Sequence, residues 1–409
     1  MNNVIINMVI EMEYKYIQLL LDRCLKIEEC NSLFINYNIL NKDFVSKVVS
    51  YAKNKGINDI YLDEENSMHI HKILQEITID EIGNNDICNS HMWDEYAKKD
   101  AAFLILDTEI PKIMDDIDSE LLAKYAYLKR ENKPLYKEKQ MNSLIPWCIA
   151  VLPNEYWAKK IFPNSKNPVN EFWDVISKMC MLDKKEPIKE WDKLLNKQSE
   201  IMKKLNDLKI QKLHYKNSLG TNLTIELSKD AIWQSASSNK WIVNMPSYEI
   251  FSTPDYRKTN GIVYSSKPLI YNGKIINDFY LIFKNGKVEE INAKEGLDVL
   301  KEIINGDELS SYLGEIAIVN YNSPISNTNL VFESTLYDEN ASCHLALGNG
   351  FIECINNGDK LSKVELENIG VNFSKNHVDF MIGTEDLTIE AETYNKDNVM
   401  IMKNGNLII

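Results

Sequence analysis

A change of hydrophobic period near Gly220 constrains this chain more than any other feature of it. Upstream, short apolar runs alternate with stretches of helical period; downstream, most apolar runs have the length and alternation of strands. Ile17, Leu20, Leu21, Cys24 and Leu25 repeat at the i, i+3, i+4, i+7, i+8 spacing of one helix face. "LFINYNI" reads as a first strand and "DFVSKVVSYAKNKG" as the helix after it, with Asp43 as N-cap and Gly56 as stop. "INDIYLD", "AAFLILD" and "PWCIAVLP" supply further strands. Strands separated by helices predict βαβ units and a mostly parallel sheet. Residues 167–216 read as charged, solvated helix joining the two halves. Past them, "GIVYSSKPLIYNGKIINDFYLIFKNGKVEEINA" holds Asn-Gly pairs at 272–273 and 285–286, which suit the positive-φ positions of type I′ hairpin turns. The 409 residues exceed what one core organises. The predicted fold class is α/β: an N-terminal α/β domain with a mostly parallel sheet and a helical linker over 1–215, then a β-rich α+β domain over 216–409.

The totals exclude several partners. A formal charge of −14 argues against nucleic acid and against an anionic membrane surface, both of which need basic patches. No apolar run approaches the 18 residues of a membrane span. The N-terminal "MNNVIINMVIEMEYKY" lacks a basic start and turns acidic, so no signal peptide is expected. Seven cysteines, scattered and without a CxxC pair, suit reduced thiols in a cytoplasm. No GxGxxG or Walker A motif follows any predicted strand, so no nucleotide site is indicated.

Chemistry gathers in the second half. As a strand, "HVDFMIG" (377–383) points His377, Asp379 and Met381 to one face, placing an imidazole and a carboxylate roughly 6–7 Å apart along it. That spacing serves ligands of one metal or a metal pair, or simply a solvated edge. In "LGEIAIV" (313–319), Glu315 interrupts an apolar strand, either at a wet end or buried with a cation. In "YDENASCHLALG", Glu339 and His344 are five apart and would diverge by about 140° on a continuous helix. They share a site if a helix begins between them, with Asn340 as N-cap and Gly348 as stop. Adjacent helical side chains diverge, so Cys343 and His344 make a poor thiol dyad, and Cys343 reads as a buried small residue. "MHIHK" sets His69 and His71 at strand spacing with no partner cluster, so both read as polar side chains in contact with solvent. With Glu249 of "NMPSYEIFSTPD", four carboxylates and two imidazoles are in play. Convergent carboxylates would repel by about 4 kcal/mol per close pair at an effective dielectric of 20, so such a cluster makes sense only around cations.

Six stretches of the second half, "GTNLTIEL", "NMPSYEIFSTPD", "GIVYSSKPLIYNGKII", "LGEIAIVNYNSPIS", "NLVFESTLYDENASCHLALG" and "GVNFSKNHVDFMIG", together with "IPWCIAVLPNEYWAKKIFP" upstream, resemble the M29 family of metallo-aminopeptidases, the group of aminopeptidases T, PepS, AmpS and II. The resemblance implies a C-terminal metal-binding domain, two divalent ions and a homodimer. Its ligand positions fall on Glu249, Glu315, Glu339, His344, His377 and Asp379. The ligand types suit Zn²⁺, Co²⁺ or Mn²⁺, with Mg²⁺ as an alternative. The implied reaction is removal of the N-terminal residue from a peptide with a free N-terminus, by water activated between the ions, with Glu315 first and Glu339 second as candidate proton shuttles. One position departs from the family: the tyrosine expected seven residues past His344 is Phe351, which lacks a hydroxyl, leaving Tyr337 or Tyr321 to replace it. The alternative reading is a catalytically slow or inactive paralogue that acts as a metal-stabilised peptide-binding protein. A thiol hydrolase using Cys343 or Cys354 is the third.

Overall fold

The structure, a computed structural model, describes residues 2–238 and 240–409, with side chains from residue 9 onward. It divides into two compact units, one of residues 1–192 and 239–247 and the other of 193–238 and 248–409.

The first unit is built on a parallel sheet. β1 (Ser32–Asn38) lies between β2 (Asp59–Glu65) and β3 (Ala102–Asp107), β4 (Trp147–Val151) follows β3, and the short Asn244–Met245 strand completes the order. The central β1 is buried along nearly its whole length, as expected of a strand paired on both edges and covered on both faces; Leu33, Phe34, Ile35 and Tyr37 supply its apolar side chains. Helix Lys42–Asn54 links β1 to β2 and buries Phe44, Val45, Val48 and Ala52. Its N-cap is Asn41; Asp43, expected to be the cap, lies in the first turn, where a carboxylate still favours the helix dipole. Gly56, at φ +92°, stands where the helix was expected to stop. The first helix, Asn2–Gln18, runs into a π-helical turn, Leu19–Cys24, that buries Leu19, Leu20, Leu21 and Cys24. Phe34, Trp93, Phe103 and Tyr136 form an aromatic cluster on the sheet.

In the second unit all the sheets are antiparallel. Nine strands form the larger one: Leu269–Tyr271, Lys274–Lys284, Pro254–Tyr264, Asn222–Leu227, Ile210–Lys216, Thr388–Thr393, Asn398–Lys403 and Asn406–Leu407 in order, with Lys287–Glu295 also paired to Lys274–Lys284. Both Asn-Gly pairs make hairpin turns with positive φ at each residue, 50° and 78° at 272–273 and 48° and 85° at 285–286. The charged stretch expected to be helical to residue 216 ends its helix at Asp207. Residues Ile210–Lys216 form a sheet strand, paired on one edge with Asn222–Leu227 and on the other with Thr388–Thr393, and bury Ile210, Leu213 and Tyr215.

The smaller sheet carries most of the candidate site residues. Its order is His377–Met381, His344–Gly348, Leu313–Ile318, Ile250–Ser252, Gln234–Ser235. The predicted strands at 313–319 and 377–383 are present. The helix predicted to begin after Asn340 is not: a five-residue helix, Thr335–Glu339, ends where that one should start, and His344–Gly348 is a strand. "HLALG" alternates, with Leu345 and Leu347 in the core and His344, Ala346 and Gly348 on the opposite face, so period two prevails over the helical reading. His69 and His71, expected at strand spacing, lie on helix Ser67–Glu76, where His71 meets Asp116 at 2.7 Å.

Candidate metal centre

Strand register assembles the site. Glu315 lies opposite Ala346, and Ala346 opposite Asp379, so one row crosses three strands with its side chains on one face. The next rows set Ala317 opposite His344 and Gly348 opposite His377. The face thus alternates candidate donors with small residues: Ala317, Ala346 and Gly348 leave room above the sheet where Glu315, His344, His377 and Asp379 project. The reverse face carries Ile316, Ile318, Leu345, Leu347, Val378 and Phe380 into the core. A bulge at Gly314 shifts the register just before Glu315 and aims its carboxyl. A Cβ at Gly314 would collide with the Gly348 and Asn349 carbonyl oxygens, so the close approach of strands there requires glycine. Glu249 enters from the residue preceding the Ile250–Ser252 strand, and Glu339 from the end of the short helix.

Two donor groups result, each with ligand atoms within 4.8 Å of one another: Glu249, Glu315 and His344, then Glu315, His377 and Asp379. His344 Nε2 lies 3.2 Å from Glu249 Oε2 and 4.0 Å from Glu315 Oε1. His377 Nε2 lies 3.1 Å from Glu315 Oε2 and 3.3 Å from Asp379 Oδ1. Glu315 therefore offers one oxygen to each group. Backbone carbonyls fix both rings: His344 Nδ1 donates to Glu339 O at 3.0 Å, and His377 Nδ1 to Asn349 O at 2.9 Å. A carbonyl only accepts, so Nδ1 holds the proton and Nε2 is the atom turned to the centre. Of the six residues expected to meet, five form these groups. Glu339 stands beside them, buried, near enough for Asp379, Glu249, His344 and Glu315 to act on its charge.

The electrostatics are those of a cluster that lacks positive charge. Burial pushes the Glu315 carboxyl up to about 7, with His377 opposing and Asp379 adding to the rise. Glu339 is pushed well above the usual carboxylate range by burial and by Asp379 and Glu249. Burial disfavours the imidazoliums, yet Glu249 and Glu315 raise His344 to about 10, and Asp379 and Glu315 raise His377. Burial pushes Asp379 up, but the His377 charge and contact, with His344 and Glu315, together hold it low. Protons here do part of the work of cations. They leave one atom unserved: Asp379 Oδ1 is buried and accepts no hydrogen bond, the His377 approach being misaligned for one. Imidazole nitrogens and carboxylate oxygens, with an orphaned carboxylate oxygen among them, fit a divalent cation.

The neighbouring residues bear on the other readings. Phe351 sets its ring 5.1 Å from the His377 imidazole and 5.3 Å from Phe251, beside the centre but without a donor. Tyr337 is fully buried against Phe332, while Tyr321 is exposed. Cys343 is buried, with burial pushing its thiol up to about 12, and Cys354 is buried with its thiol raised by the same cause. Neither is a nucleophile at neutral pH. Sequence reasoning missed Ala346, whose small side chain separates Glu315 from Asp379, and read Asn340 as the N-cap of a following helix where it is the C-cap of the preceding one. The alternation in "HLALG" was the available signal for both.

Comparisons with known proteins agree with this chemistry. The family model described as thermophilic metalloprotease (M29) matches residues 11–407. Aminopeptidase AmpS of Bacillus subtilis is 33% identical over 401 residues, covering 96% of this chain and 97% of that one. Aminopeptidase 2 of Geobacillus stearothermophilus is 31% identical over 399 residues, 96% of each. The structure of wild-type AmpT from Thermus thermophilus superimposes with a TM-score of 0.89 over 98% of this chain and 99% of that one, at 24% identity, a likeness of fold.

Proposed function

Since the chain belongs to the M29 metalloprotease family, a family of metallopeptidase hydrolases, we propose that it is an aminopeptidase whose centre holds two divalent ions, one at Glu249, Glu315 and His344 and one at Glu315, His377 and Asp379. The observation that carries this reading is the pair of donor groups sharing Glu315, with the Asp379 Oδ1 oxygen left without a hydrogen bond. Bound there, such ions would polarise a substrate carbonyl and lower the pKa of water at the site. Zn²⁺, Co²⁺ and Mn²⁺ suit the donors, with Mg²⁺ as the hard alternative.

The chain's own residues do the rest. His344 and His377 present Nε2 because the Glu339 and Asn349 carbonyls hold each Nδ1 proton, so neither ring can turn away without losing a hydrogen bond. Glu315 is pinned between the two imidazoles by both oxygens, which leaves it a poor carrier of protons. Glu339 stands outside both groups, buried, with its affinity for a proton raised. We assign it the shuttle that takes a proton from the attacking water and hands it to the leaving amine. The surplus of carboxylates favours a free α-amine on the substrate, which restricts cleavage to chain ends. We further propose a homodimer acting in the cytoplasm on peptides with a free N-terminus. Among the described residues, no helix is long and apolar enough to cross a membrane.

The test is metal analysis of the purified protein beside a panel of aminoacyl-nitroanilides, free and N-acetylated. The expected result is two ions per chain, activity lost to chelator and restored by Co²⁺ or Zn²⁺, and no cleavage of the acetylated set. Full activity after complete metal removal would overturn the reading.

A further inference from the structure

The two donor groups are held in different ways. Glu315, His377 and Asp379 sit on strands knitted together through the His344–Gly348 strand, whose ladder sets their positions. Glu249 and Glu339 lie outside that ladder: Glu249 precedes its strand, and Glu339 ends a helix followed by a turn. One side chain spans these two segments. Asn340 is wholly buried; its Oδ1 accepts the backbone N–H of Tyr248, the residue before Glu249, at 2.7 Å. Its Nδ2 donates to Leu336 O at 3.0 Å, closing the end of the short helix, and lies 3.4 Å from Glu339 Oε1. The Glu339 carbonyl in turn accepts a hydrogen bond from His344 Nδ1. Through a single planar amide, the backbone carrying Glu249 is tied to the turn that orients His344, and those two ligands meet at 3.2 Å.

We infer that Asn340 is a positioning residue for the Glu249–Glu315–His344 ion site and not for the Glu315–His377–Asp379 site, an inference that rests on the two-ion reading above. The amide is chemically specific. Aspartate at 340 could still accept from Tyr248 N–H, but it could donate to neither Leu336 O nor Glu339 and would add a charge beside an already crowded carboxylate. Leucine would fill the space and make none of the three contacts. Partners that orient metal ligands are generally worth about 10–100-fold in metal affinity.

The test uses the full-length protein stripped of metal, titrated with Co²⁺ by calorimetry and visible absorption. Asn340→Leu and Asn340→Asp are compared with the wild type and with His344→Ala and His377→Ala. The expected result is one ion weakened by about 10–100-fold and the other unchanged, with residual Co²⁺ absorption resembling that of His344→Ala. Two ions bound with wild-type affinity, both weakened equally, or absorption resembling that of His377→Ala would each overturn the inference. Where Asn340→Leu fails to fold, Asn340→Asp, which keeps the volume and the Tyr248 contact, carries the same comparison, with thermal melts of the metal-free protein reporting its fold. A wild type that binds fewer than two ions would instead sink the two-ion reading, and with it this one.

Discussion

Glu315→Gln separates a metal seat from a structural ion pair by the sign of its effect. Glu315 is buried, and its pKa rises from 4.5 to about 7, first through burial and then through the balance of His377 against Asp379. A folded-state pKa above the unfolded value means that the carboxylate form works against folding. Below about pH 4.5 the group is protonated in both states and costs nothing; the cost grows as pH rises to about 7 and is constant above. At about 1.4 kcal/mol per pKa unit, the full cost is about 3 kcal/mol. Glutamine keeps the shape and has no charge to bury, so metal-free Glu315→Gln should exceed the wild type in stability by about 3 kcal/mol at pH 8, the gap closing toward pH 4.5. With ions present the order inverts. Unit charges about 4 Å apart at an effective dielectric of 20 attract by about 4 kcal/mol, and the loss of that attraction weakens ion binding by roughly a thousandfold. Urea unfolding followed by circular dichroism, on chelator-stripped protein at pH 5 and pH 8 and again with Zn²⁺, measures both arms. A metal-free variant less stable than the wild type at pH 8 would refute the reasoning, because Glu315 would then be a stabilising partner of His344 and His377.

Other outcomes follow from the same geometry. His344 has a folded pKa of about 10 against 6.5, so its contribution to metal-free stability is whole below pH 6.5 and is lost as pH rises through about 10; melts at pH 6, 8 and 9.5 should show the metal-free Tm falling while the increment from added Co²⁺ grows. Gly314→Ala drives a methyl into the Gly348 and Asn349 carbonyls and should cost about 1–3 kcal/mol while displacing Glu315; a Tm and activity equal to wild type would show that the bulge relaxes freely. Phe351→Tyr adds a hydroxyl on the ring beside His377 and should raise kcat by up to about 10²-fold with little change in KM; an unchanged rate would show the missing donor was not limiting. Iodoacetamide at neutral pH should leave activity intact, since Cys343 and Cys354 are buried and hold their protons; rapid inactivation traced to either would contradict this.

Local chemistry alone determined a good part of this protein. Asn-Gly at 272–273 and 285–286 announced its hairpins because few other residue pairs accept two consecutive positive φ angles. Apolar runs separated by helical stretches announced the parallel sheet, and the alternation of "HVDFMIG" put His377 and Asp379 on one face. The residue types of the centre were legible too, through resemblance and through the cost of gathering carboxylates without cations. Where "YDENASCHLALG" turns from helix to strand was a different matter, since a five-residue stretch with two leucines supports either period. The neighbouring strands decided it, by offering Ala346 a place between Glu315 and Asp379. Tertiary structure likewise decided that Glu315 faces both imidazoles, that Glu339 stands apart, and that Asn340 ties two segments 92 positions apart at its contact with Tyr248. Propensity acts over a few residues, whereas ligand geometry depends on the register of strands distant in the chain, and that register is fixed only once the core on their other face has packed.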